Sequence, residues 1–107
     1  MNTPINQHTS GAKLDTGKNR LGLVLGGFSL ALQEVGKVGT FGADKYLDNG
    51  WIHVENGIDR YTDAMMRHYM SEESGEKFDD ETKLLHAAAV AWNALARLDL
   101  MLREMEE

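Results

Sequence analysis

The sequence predicts an all-α fold, a small helical bundle, on three observations. Apolar residues recur at helical spacing in three stretches, near 21–40, 57–69 and 81–104. No stretch alternates as a strand does, and no glycine-rich strand–helix motif stands out. The single proline, Pro4, lies outside all three stretches.

The chain has 107 residues, 42% of them hydrophobic. That suits one domain with a modest core, a size that often completes its core by oligomerising. Cysteine is absent, which excludes disulfides and zinc–thiolate sites. The net charge of -6 argues against a protein that coats nucleic acid. It is compatible with a nucleotide ligand, because carboxylates can recruit divalent cations while local lysines and arginines meet phosphate. Met1 to Ser10 is polar, without the apolar segment of a secretory signal, and no run approaches a membrane span. A cytosolic setting without membrane partners is therefore expected.

Residues 1–12 read as a flexible polar tail and 13–107 as the single folded domain. Lys13 to Arg20 is turn-like, with Asp15 and Gly17 as turn formers. A glycine turn presenting Lys18 and Arg20 suits phosphate oxygens; taken by itself the segment reads first as an ordinary solvated loop. The first helical stretch carries Phe28, Leu32 and Val35 on one face. Gly22, Gly26 and Gly27 weaken its start, so the firm helix is expected from near Phe28. Gly36 and Gly39 suggest close approach of another backbone or a ligand. Glu34 is either a metal-binding carboxylate or the surface partner of Lys37.

Asp48-Asn49-Gly50 signals a turn after Tyr46, and Trp51 follows it. Trp51 is a loop anchor or a stacking surface for a base. His53 reads as a surface histidine. The middle helix, Gly57 to Tyr69, concentrates the chemistry. Asp59 and Asp63 form an i,i+4 acidic pair beside Arg60 and Arg67. The plain alternative is a solvated face with an Asp63–Arg67 pair. His68 stands at the edge of the apolar face. A loop over 71–77 is expected, then a helix from about Glu81 to Glu104, capped by Asp79 or Asp80. Within it His86, Asn93 and Arg97 fall in one narrow strip on an otherwise apolar helix, and such a strip has to find partners.

Four segments belong together as a set: Lys13-x-Asp15-x-Gly17-Lys18-x-Arg20; Thr40-Phe41-Gly42-Ala43-x-Lys45-Tyr46 with Trp51; Arg60-Tyr61-x-Asp63-Ala64-x-x-Arg67-His68; and His86-x-Ala88 leading into Ala91-Trp92-Asn93-Ala94. In order and spacing they resemble the phage dATP/dGTP diphosphohydrolase family, small all-α proteins related to MazG-like nucleotide pyrophosphohydrolases. The resemblance spans roughly Gly11 to Leu102. It implies cleavage of a purine deoxynucleoside triphosphate to monophosphate and pyrophosphate, with Mg²⁺ or Mn²⁺, by a dimer or tetramer. For a phage-encoded chain the setting is the host cytoplasm.

On that reading Glu34, Asp59 and Asp63 hold the metal, and Asp63, Arg67 and His68 serve catalysis. Lys18, Arg20, Lys45 and Arg60 bind phosphate, while Tyr46, Trp51, His86 and Asn93 meet the base. The MazG-like relatives carry a Glu-x-x-Glu pair where this chain has Glu34 followed by Lys37. That departure keeps a second reading open, a non-catalytic protein that sequesters a nucleotide signal of host defence.

Overall fold

The computed structural model describes residues 6–106. It contains four α-helices and no strand among the described residues: α1 (Leu21–Gly27), α2 (Ser29–Lys45), α3 (Gly57–Glu73) and α4 (His86–Glu106). A 3-10 turn, Gly50–His53, links α2 to α3. The first five residues of the expected tail, and Glu107, lie outside the described part; residues 6–12 form turns.

The first helical stretch is two helices. The chain bends by 80° between α1 and α2, and Phe28 at the break leaves helical geometry. The three glycines ahead of it explain why the helix does not run through. α2 then continues to Lys45, absorbing the segment from Thr40 that carries Gly42. Asn49 takes the left-handed conformation that the Asp-Asn-Gly turn needs.

α3 and α4 pack as an antiparallel hairpin, with α2 laid against α4. Glycine and alanine set how closely they approach. Gly57 is buried at the start of α3, and a Cβ there would meet Leu100 Cδ1 at 2.8 Å. Ala88, Ala89 and Ala96 form the buried apolar line of α4. At the far end Tyr61 and Trp51 each set an edge against Trp92, with centroids 5.6 and 6.1 Å away. Tyr61 Oη donates to the Trp51 carbonyl at 3.0 Å, tying the 3-10 turn to α3.

The last helix begins at His86, later than the expected Glu81. Asp79 caps a turn instead of a helix, accepting the Thr82 N–H at 3.0 Å. Lys83 adopts φ +63°, and Phe78 bridges Leu85. These contacts use up the backbone groups that a helix from Glu81 would need. α3 in turn extends to Glu73, past the expected stop at Ser71.

The single chain is extended, with a radius of gyration of 18.8 Å against about 13 Å for a compact domain of this length. No residue of α1 or α2 is buried. Leu30 is 81% exposed, and Leu21, Leu23 and Phe28 also face outward. No single helix among the described residues is long and apolar enough to cross a membrane; only the bent α1–α2 pair has the combined length and composition.

Candidate functional site

The strip on α4 finds its partners on α3. Arg97 Nε donates to Thr62 Oγ1 at 2.8 Å, and Thr62 in turn donates to the Ile58 carbonyl at 2.7 Å. Asn93 is buried and donates to the Ala89 carbonyl of its own helix at 2.8 Å. His86, the first residue of α4, is 3% exposed and faces His68, with the two Nδ1 atoms 2.8 Å apart. Asp79 reaches the same point from the loop. One ligand atom from each of His68, Asp79 and His86 lies within 4.8 Å of the other two, a grouping that can hold a metal ion.

The electrostatics follow from the crowding. Burial, the largest cause, lowers the His68 pKa; His86 and Arg67 act in the same direction, against Asp79. Burial, the largest single cause, opposes ionisation of Asp79, but hydrogen bonds from Thr82, with electrostatic attraction to the two imidazoles, outweigh it and leave its pKa lowered. A neutral imidazole beside an ionised carboxylate is the protonation state that metal coordination requires. His86 Nε2 is buried without a hydrogen-bond partner; Glu76 Oε1 stands 3.2 Å away in an arrangement that misses hydrogen-bond geometry.

A second feature is an apolar cleft of about 450 Å³ between α2 and α4. Gly36, Gly39, Trp51, Trp92, Leu98 and Asp99 are among its lining residues. The missing side chain of Gly39 makes room for Trp92, whose Nε1 lies 3.0 Å from where a Cβ would stand. Trp51 is both the loop anchor and part of the cleft wall. Arg103, held to Asp99 at 2.6 Å, lies over the Trp51 ring at 5.8 Å.

Asp59, Asp63, Arg60 and Arg67 are exposed on α3. The Asp63–Arg67 ion pair of the plain alternative is not formed, and neither residue has an ionic partner among the described residues. Arg60 Nη1 donates to the Glu55 carbonyl at 3.4 Å. Glu34 pairs with Lys37 at 3.0 Å, the surface alternative for that residue. Glu34, Asp59 and Asp63 do not form a three-ligand group within one chain. Lys45 pairs with Glu81 at 2.8 Å and lies over the exposed Tyr46 ring. Lys18 and Arg20 are exposed in the turn before α1. His86 and Asn93 lie away from the cleft that Trp51 lines.

In the sequence Asp79 reads only as a helix cap, which conceals its place beside His68 and His86. The available signal was a histidine late in one helix, an aspartate in the next loop and a histidine opening the following apolar helix.

A family model described as the dATP/dGTP diphosphohydrolase N-terminal domain matches residues 8–107. The chain belongs to that family. A dATP/dGTP diphosphohydrolase of Salmonella phage PMBT28 is 38% identical over 82 residues. The match covers 77% of this chain and 27% of the relative, so the chain spans about a quarter of that protein's length. No solved structure matches. His68, Asp79 and His86 all fall inside the matched region, as do the α3 charges and the cleft.

Proposed function

We propose that this chain hydrolyses purine deoxynucleoside triphosphates, dGTP and dATP, to the monophosphate and pyrophosphate with Mg²⁺ or Mn²⁺. The family match over residues 8–107 is the observation that carries this reading. The unpaired charges on α3 support it. Asp59, Asp63 and Arg67 stand exposed without ionic partners, although Asp63 and Arg67 have the spacing to neutralise each other.

Arg60 and Arg67 hold phosphate oxygens by charge-assisted hydrogen bonds and offset the negative charge that grows as the P–O bond breaks. Lys18 and Arg20 add charge from the glycine turn. Trp51, on the cleft wall, offers an aromatic surface to a purine. A bound divalent ion supplies charge neutralisation and a more acidic water. Glu34, Asp59 and Asp63, the carboxylates expected to hold it, do not converge within one chain.

The active form is a homo-oligomer, a dimer or tetramer. The outward apolar residues of α1 and α2 and the extended shape of the single chain support this. Pyrophosphate release from dGTP and dATP, with Mg²⁺ or Mn²⁺, tests the activity. Failure to turn over any nucleoside triphosphate would sink it.

The unconverged carboxylates favour one second reading, a nucleotide-binding protein without catalysis. That reading requires a tightly bound nucleotide recovered intact after the protein is denatured.

A further inference from the structure

We propose that His68, Asp79 and His86 form a binding site for a first-row transition-metal dication of the Zn²⁺ or Co²⁺ type, distinct from the α3 carboxylates proposed to serve the nucleotide. The ion would join three separate segments: the last turns of α3, the loop after it and the first residue of α4.

The donor set selects the ion class. Two imidazoles and one carboxylate suit Zn²⁺ and Co²⁺, whereas Mg²⁺ prefers an all-oxygen shell. The geometry is close to what such an ion needs. Two nitrogens each about 2.1 Å from a common ion, at angles between square and tetrahedral, lie roughly 3.0–3.4 Å apart. The two Nδ1 atoms stand 2.8 Å apart, so a small outward rotation of either ring admits the ion. Asp79 already gives one oxygen to the Thr82 N–H and keeps lone pairs to spare. Three protein donors leave at least one coordination position open.

The loop holds these donors in place without an ion. Asp79 N–H donates to the Leu84 carbonyl at 2.8 Å, Lys83 N–H to the Asp79 carbonyl at 2.8 Å, and His86 N–H to the Lys77 carbonyl at 3.0 Å. Asp79 and His86 are thus fixed by backbone contacts.

The outer nitrogen of His86 is compatible with this arrangement. His86 is among the most buried residues of the chain, yet its Nε2 has no hydrogen-bond partner. Coordination through Nδ1 places the ring proton on Nε2. The Glu76 carboxylate, 3.2 Å away, then needs only to realign to accept it. A carboxylate behind a ligating histidine is the usual outer support of such sites. His8 and His53, the other two histidines, are exposed and far along the sequence from this cluster.

The test uses the full chain, stripped with chelator and titrated separately with Zn²⁺, Co²⁺ and Mg²⁺ by equilibrium dialysis. Co²⁺ absorption reports the donor set. The expected result is one Zn²⁺ or Co²⁺ per chain, undisplaced by excess Mg²⁺. His68→Gln and Asp79→Asn, checked for helix content, should each weaken binding at least tenfold. Glu76→Gln should weaken it about 10–100-fold, and a His8→Gln/His53→Gln control should leave it intact. Full-strength binding in His68→Gln and Asp79→Asn, or no preference over Mg²⁺, would overturn the proposal. None of these readings depends on nucleotide turnover, so failure here and failure of the hydrolase reading are separable.

Discussion

Trp92 occupies the space that a side chain at position 39 would fill, its Nε1 lying 3.0 Å from the Cβ position of Gly39. Gly36, one turn earlier on the same helix, has nothing within 4 Å of its Cβ position. The two glycines should therefore respond in opposite ways. Gly36→Ala raises stability by up to about 1 kcal/mol through helix propensity. Gly39→Val pushes α2 off α4 and costs about 1–3 kcal/mol. Urea midpoints of the two variants check this.

The Arg97–Thr62 bond joins α4 to α3 between partly buried side chains. Thr62→Val keeps the shape and removes the acceptor, leaving the guanidinium unpaired. A loss of about 1–3 kcal/mol is expected in chemical denaturation. Ser at position 62 should restore most of it.

Acidification should destabilise the chelator-treated chain, beginning near the ordinary histidine range. The folded-state pKa of His68 lies below its usual 6.5, so the unfolded chain binds more protons as pH falls through that value. The contribution of neutral His68 is complete above 6.5 and is lost on descending through the lower folded value. Asp79 acts with the same sign further down, because its folded pKa also lies below the usual 3.8. Thermal midpoints from pH 7.5 to 5 should fall, and His68→Gln should flatten that part of the curve.

The α1–α2 face should control assembly. Leu30, 81% exposed, is a direct probe. Leu30→Glu is expected to shift the chain toward monomer in light scattering and to lower its thermal midpoint. The midpoint of the unaltered chain should rise with concentration. A midpoint independent of concentration would count against assembly through this face.

For the hydrolase reading, Asp63→Asn and Arg67→Ala should each lower pyrophosphate release by about 10²–10³-fold. Both side chains are exposed and unpaired, so folding should be little affected. Unchanged turnover in both variants would remove them from the reaction.

The helices were legible in the sequence because apolar period and glycine placement report local structure directly. The strip on α4 was legible for the same reason: residues a turn or two apart on a helix share a face wherever that helix goes. The start of α4 was not. Asp79 followed by acidic residues reads as a helix cap, and only the Phe78–Leu85 bridge and left-handed Lys83 turn it into a tight loop. The cluster of His68, Asp79 and His86 was hidden for that reason, since its members meet only once the loop has folded back. The bend at Phe28 was half legible. The glycines marked a weak start, but the helical segment before the break follows from no apolar pattern that buries it.

The backbone bonds that close residues 77–86 also bear on the order of folding. They close the loop over 74–85, so α3 and α4 are neighbours in the chain and their contacts span less sequence than the α2–α4 contact of Gly39 with Trp92. The hairpin should therefore form ahead of the rest, with α2 docking later through Gly39 and Trp92. Pulse-labelled hydrogen exchange should then protect the amides of α3 and α4 before those of α2. Simultaneous protection of all three would contradict that order.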